Sequence, residues 1–132
     1  MEKELENLIE NARRAREKAF APFSNFQVGA ALLTETGKVF TGCNIENASY
    51  GLTMCAERVA IFKAISEGEK NFAQLAIIGD TQNIPPPCGA CRQIIWEFCG
   101  DIPVVLANLH GETQTFKMSE LLPKAFDMKF LK

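Results

Sequence analysis

Two short stretches constrain the fold more than any other part of the chain: Cys55-Ala56-Glu57-Arg58 and Pro87-Cys88-Gly89-Ala90-Cys91-Arg92. Each reads as the start of a helix. Cys88 and Cys91 are three positions apart, so on a first helical turn both sulfurs reach one point in space. Cys55 must arrive at that point from a second helix start. Three thiolates around one zinc ion leave a fourth tetrahedral position for water, which is the pattern of an open, catalytic site. The exposed N–H groups of a helix N-terminus stabilise thiolates. A chain with these stretches is expected to fold so that two helix N-termini face one metal.

Charge then singles out two neighbours. Zn²⁺ with three thiolates carries a net negative charge, which polarises water less than a site holding a neutral histidine does. A cation against the sulfurs would offset this. Arg58 is the first candidate and Arg92 the second, the bland alternative being a surface arginine. Glu57 stands two residues from a ligand, where it can take a proton from water and pass it on. In an isolated motif it would merely complement the helix N-terminus. A Cys-x-x-Cys pair alone is equally compatible with a redox motif or half of a structural zinc site. A structural site here would need Cys43 or His110 as fourth ligand. Cys99 lies about 12 Å along the helix from Cys91, too far to share a metal. Cys43 and Cys99 are expected to be buried thiols.

The totals exclude several classes. The chain has 132 residues, enough for one domain over 1–132. A net charge of −2 gives no basic surface for nucleic acid. No apolar run reaches membrane-spanning length, and the charged start carries no signal core. An odd number of cysteines, 5, fits a reducing compartment, the cytoplasm, better than a disulfide framework.

Leu5, Leu8, Ile9, Ala12, Ala15 and Ala19 predict a helix over Lys3–Phe20, stopped before Pro22. Strands are expected at Phe26–Thr34 and Val39–Cys43, joined as an antiparallel hairpin by Glu35-Thr36-Gly37-Lys38. Gly29-Ala30-Ala31 should let another element pack closely. A second helix is expected over Cys55–Glu67, with Val59, Phe62 and Ile65 on its apolar side. Leu75–Gly79 reads as a buried strand, Thr81–Pro87 as a proline-stiffened loop, and Gly89–Cys99 as a third helix. Pro103–Ala107 and Thr113–Lys117 should pair antiparallel across the His110-Gly111 turn, and Ser119–Leu122 reads as a helical turn. Trp96 is expected on the sheet or at a subunit contact. The order implies an α/β fold: three α/β/α layers around a mixed five-stranded sheet.

The sequence Cys-Ala-Glu followed by Pro-Cys-Gly-Ala-Cys matches the zinc-deaminase signature in a three-cysteine form. Together with Phe26-Gln27-Val28-Gly29-Ala30-Ala31-Leu32 and Gly42-Cys43-Asn44-Ile45-Glu46-Asn47-Ala48, it makes the chain resemble the small, homotetrameric cytidine deaminases. The resemblance runs from about Ala12 to Phe126. It implies zinc held by Cys55, Cys88 and Cys91, one ion per subunit, with Glu57 as proton shuttle. It implies Phe26 against a pyrimidine ring, Asn44 and Glu46 on the ribose hydroxyls, and the Ala56 N–H on the base carbonyl. Ala48, Tyr50 and Phe126 match positions lent to a neighbouring subunit's pocket. The implied partners are a small nucleoside substrate and three further copies of the chain, with no membrane. The implied reaction converts cytidine or 2′-deoxycytidine to the uridine form with release of ammonia. Phe23 and Pro86 depart from the tyrosine and serine common at those positions.

Overall fold

A computed structural model describes residues 2–80 and 86–131. In chain order the elements are α1 (Glu2–Arg16), β1 (Val28–Thr34), β2 (Val39–Cys43), α2 (Ala56–Ser66), β3 (Phe72–Gly79), α3 (Gly89–Cys99), β4 (Pro103–Asn108), β5 (Thr113–Lys117) and α4 (Met118–Leu121). Short 3₁₀ turns cover Tyr50–Leu52 and Met128–Leu131. Most of the expected loop Thr81–Pro87 lies outside the described residues. No helix among them is long and apolar enough to cross a membrane.

The strands form one mixed sheet in the order β2-β1-β3-β4-β5. Only β3 and β4 run parallel, and the connection between them is the crossover that carries α3. The expected hairpins are present: Leu33 pairs with Val39 in the first and Ala107 with Thr113 in the last. Alternation along the strands divides the core into two layers. Ala31, Leu33, Ala76, Ile78, Val105 and Ala107 pack under Leu8 and Ala12 of α1. Ala30, Leu32, Leu75, Ile77, Val104 and Leu106 pack under α2 and α3, through Ala56, Ala60, Ile61, Ala64 and Ile95. The three-layer expectation therefore holds.

Two glycines set how closely the layers approach. A Cβ at Gly29 would strike the Ala12 carbonyl of α1, and one at Gly42 would strike the Ala56 carbonyl of α2. The α2 start is thus seated directly on β2.

Besides β3, which begins at Phe72 rather than Leu75, three expectations need correction. The first helix ends at Arg16, short of Phe20. Phe20 instead bonds across the molecule: its N–H donates to the Asn44 carbonyl at 3.0 Å and its carbonyl accepts from Glu46 N–H at 2.8 Å. Those bonds pull the chain out of helical geometry. Second, β1 starts at Val28, because the Phe26 backbone is taken by side chains: Ser24 Oγ accepts its N–H and Asn44 Nδ2 donates to its carbonyl. Third, α2 does not bury Val59, Phe62 and Ile65. It buries Ala56, Glu57, Ala60, Ile61 and Ala64, while Phe62 stays exposed and meets Phe98 edge-on at 6.1 Å between ring centroids. The close approach at Gly42, against Ala56 and Ala60, needs small side chains at those two positions, and Ile61 fills the core beside them.

Candidate metal centre and cavity

Cys55 and Cys88 are the N-cap residues of α2 and α3. Neither side chain caps its helix, so the first-turn N–H groups are left directed at the site and the sulfurs are free for another partner. Cys91 sits one turn into α3 and is buried. The Cys55 and Cys88 sulfurs are 4.0 Å apart and those of Cys88 and Cys91 3.3 Å. All three lie within 4.8 Å of one another. Tetrahedral zinc with Zn–S bonds of about 2.3 Å needs sulfurs about 3.8 Å apart, so this set fits the ion. Among the described residues it is also the only such cluster, and neither Cys43 nor His110 belongs to it. A structural site with four protein ligands is therefore not built here. His110 lies exposed in the β4–β5 turn. Cys43 and Cys99 are half-buried rather than buried, and burial pushes the Cys99 thiol up to about 12.

The electrostatics around the sulfurs is uneven. The Cys55 thiol is held down at about 5, chiefly by the hydrogen bond from Cys91 and further by Arg58. Cys91 is raised because it is the donor in that pair and because burial disfavours its charge. Arg58 Nη2 lies 3.4 Å from Cys55 Sγ. Arg92 goes elsewhere: its Nε donates to the Pro87 carbonyl at 2.8 Å and its Nη1 to the Leu121 carbonyl at 2.8 Å. The second-choice cation is a backbone latch between α3 and α4.

Glu57 is 4 % exposed, and burial raises its pKa to about 7. The cause is loss of hydration for the charged form, reinforced by the Cys55 thiolate. A carboxyl so placed can hold or release a proton near neutrality.

Cys55, Ala56, Glu57 and Cys88 form one wall of a cavity of about 270 Å³. The same cavity is lined by Ser24, Phe26, Asn44 and Glu46, and by Val28, Thr53, Met54, Ile77 and Pro86. A larger groove of about 580 Å³ between α1 and the β4–β5 turn holds ordinary surface side chains such as Lys3, Glu6 and Arg13, with no converging chemistry. The Glu46 carboxylate accepts Phe23 N–H at 2.9 Å and Ser24 N–H at 3.1 Å on Oε1, and the Ser24 hydroxyl on Oε2. These bonds, the hydroxyl first, hold its pKa below the ordinary carboxylate range. Asn44 Oδ1 accepts Val28 N–H at 2.8 Å.

The structure thus brings Phe26, Asn44, Glu46, Cys55, Ala56, Glu57 and Cys88 to one cavity, with Cys91 behind Cys88. Ala48 and Phe126 are exposed and outside it. The Tyr50 side chain lies outside the described residues. Phe126 belongs to a tail held on α3, where Gln93 Nε2 donates to its carbonyl at 2.7 Å and Trp96 Nε1 to Asp127 at 3.2 Å. Sequence reasoning missed Ser24, whose one signal was its place two residues before Phe26. Phe23 and Pro86, noted above only as departures from the common residues, both bear on the site: Phe23 N–H holds Glu46 and Pro86 lines the cavity.

Comparison with known proteins agrees with this geometry. Residues 2–107 match the family model for the cytidine and deoxycytidylate deaminase zinc-binding region. A cytidine deaminase of Halalkalibacterium halodurans is 57% identical over 120 residues, 90% of this chain and 91% of that one. A cytidine deaminase of Sporosarcina psychrophila is 50% identical over 129 residues, 97% of this chain and 95% of its own. The crystal structure of cytidine deaminase from Burkholderia pseudomallei superposes with a TM-score of 0.90 at 52% identity, covering 92% of this chain and 98% of that one. With a zinc-fitting trio of sulfurs, a buried carboxyl beside it and this match across most of its length, the chain belongs to the zinc-dependent cytidine and deoxycytidylate deaminase family.

Proposed function

We propose that this chain hydrolytically deaminates cytidine and 2′-deoxycytidine to uridine and 2′-deoxyuridine, releasing ammonia, as a step in pyrimidine salvage. The observation that carries the reading is the placement of buried Glu57 beside the Cys55–Cys88–Cys91 cluster, in the one cavity that Phe26, Asn44 and Glu46 also line. Zinc held by Cys55, Cys88 and Cys91 supplies, when bound, a Lewis acid that eases loss of a proton from water. Glu57 takes that proton on its carboxylate. It delivers the proton to the ring nitrogen beside the amino-bearing carbon while the water oxygen bonds that carbon. It then takes the remaining proton from the added hydroxyl and passes it to the amino group as the C–N bond breaks and the C=O forms, ending ionised as it began. A carboxyl whose burial raises its proton affinity suits both halves of this exchange. Arg58 offsets the thiolate charge at Cys55.

Phe26 lies against the pyrimidine face, the Ala56 N–H meets the base carbonyl, and Asn44 and Glu46 take sugar hydroxyls. Ala48, Tyr50 and Phe126 serve a neighbouring subunit's pocket in a homotetramer of single-domain chains. Exposed Phe20, Phe23, Ile45 and Leu52 support that assembly, since apolar side chains in such number favour a covering partner. Five free thiols support a reducing compartment, the cytoplasm.

The test is direct. Zinc-loaded protein mixed with cytidine should shift the ultraviolet absorbance to that of uridine and release one ammonia per turnover. Absence of conversion overturns the assignment. A sizing measurement giving a monomer overturns the tetramer alone.

A further inference from the structure

We propose that Ser24 is a positioning residue for nucleoside recognition, coupling the sugar contact at Glu46 to the base contact at Phe26; this rests on the reading of those two residues given above. The Ser24 hydroxyl is the one group that touches both. It donates to Glu46 Oε2 and accepts the Phe26 backbone N–H at 3.1 Å. Its own N–H donates to Glu46 Oε1 at 3.1 Å. Ser24 also lines the cavity itself.

Counting lone pairs gives the reason such a bridge matters. A carboxylate accepts about four hydrogen bonds. Phe23 N–H, Ser24 N–H and Ser24 O–H fill three of those on Glu46, leaving a single acceptor direction, on Oε2. The carboxylate is therefore held in one rotation with one position for a sugar hydroxyl. The same serine fixes the Phe26 backbone from which the ring projects. Removing only the hydroxyl frees Oε2, releases the Phe26 N–H, and leaves the residues that contact nucleoside chemically intact. Binding weakens, while Glu57 and the sulfurs are undisturbed.

The experiment compares wild type, Ser24→Ala and Ser24→Thr as zinc-loaded, full-length enzymes. Two readouts run in parallel: steady-state deamination of cytidine, and calorimetric binding of uridine. Ser24→Ala should raise KM and the uridine Kd about tenfold, the worth of one hydrogen bond to a charged group, with kcat changed far less. Ser24→Thr, which keeps the hydroxyl, should restore both. In a Glu46→Ala background, or Glu46→Gln if the alanine form is insoluble, Ser24→Ala should add much less than that factor, because no carboxylate remains to be held. Unchanged KM and Kd in Ser24→Ala overturn the proposal, even if thermal stability falls. So do full multiplication of the two effects in the double variant, and failure of threonine to rescue. Wild type that binds uridine but turns over no cytidine overturns the deaminase assignment instead, and the Kd series still decides the role of Ser24.

Discussion

Glu46 and Glu57 are both buried and both line one cavity, yet their pKa values move in opposite directions. Glu46 goes down because a loop supplies it with hydrogen-bond donors, Ser24 foremost. Glu57 goes up because burial removes water and the Cys55 thiolate stands nearby. The sugar end is built of groups whose partners are already in the chain. The metal end is built differently: N-cap sulfurs that cap no helix, and a carboxyl for which burial outweighs the Cys91 and Arg58 contributions that favour its charge. The difference divides function from stability. Under the proposed assignment, a side chain at the sugar end would both bind and brace, and reactivity at the metal end would cost stability that zinc and substrate restore. Substitutions should therefore have opposite stability signatures at the two ends.

The largest expected effect breaks the metal end without emptying it. Glu57→Gln keeps the size and burial of the side chain but cannot carry a proton. Its kcat should fall by roughly 10²–10⁴, the usual share of general acid–base catalysis. Zinc content, measured by atomic emission on the purified protein, should stay at one per chain. Full turnover would remove Glu57 from the mechanism, and loss of zinc would make it a support for the ligands.

The metal end was legible because its grammar is local. Two cysteine stretches, each opening a helix, are visible in ten residues, and α3 begins and ends where that punctuation placed it. β2 and β5 likewise match, bounded by their turns. The sugar end was not legible in the same way. Its bonds join Ser24 to Glu46 and Asn44 to Val28, across the strands, and a serine in a polar turn looks like any other. The same long-range pairing ended α1 before Phe20, against its helical spacing. On α2, every face offers apolar residues. Bulk pointed to Phe62, whereas the backbone contact at Gly42 selected the alanines.

A second expectation sharpens the comparison through pH. In metal-free protein, folded Glu57 titrates at about 7 against an ordinary 4.5. Between those values the folded state holds a proton that the unfolded state has lost, so stability falls as pH rises through the window. The full penalty is ~3 kcal/mol above pH 7 and vanishes below 4.5. Glu57→Gln does not titrate. Denaturant unfolding of the two metal-free proteins should show their stability gap shifting by about that amount in favour of the variant between pH 4.5 and 8. A gap constant with pH would mean that Glu57 carries no burial penalty.

At the sugar end the sign reverses. Asn44→Ala removes the acceptor of Val28 N–H and the donor to the Phe26 carbonyl. Leaving these backbone groups unpaired should destabilise the protein by about 2 kcal/mol, with or without zinc, alongside weaker nucleoside binding. Equal stability of variant and wild type would mean that Asn44 binds without bracing, and the contrast between the two ends would fail.

The smallest effect separates two arginines that sequence placed side by side as candidates. Arg58 touches Cys55, whereas Arg92 touches only the Pro87 and Leu121 carbonyls. Arg58→Ala should weaken zinc affinity by about 10–100-fold, as loss of a group supporting a metal ligand does, read by competition with a chelator. Arg92→Ala should cost about 1 kcal/mol of stability through its lost carbonyl bonds, and leave zinc affinity and kcat at the wild-type level. The reverse outcome, with zinc released from the Arg92 variant and retained by the Arg58 variant, would move the compensating charge to α3. The latch between α3 and α4 would then belong to the metal end.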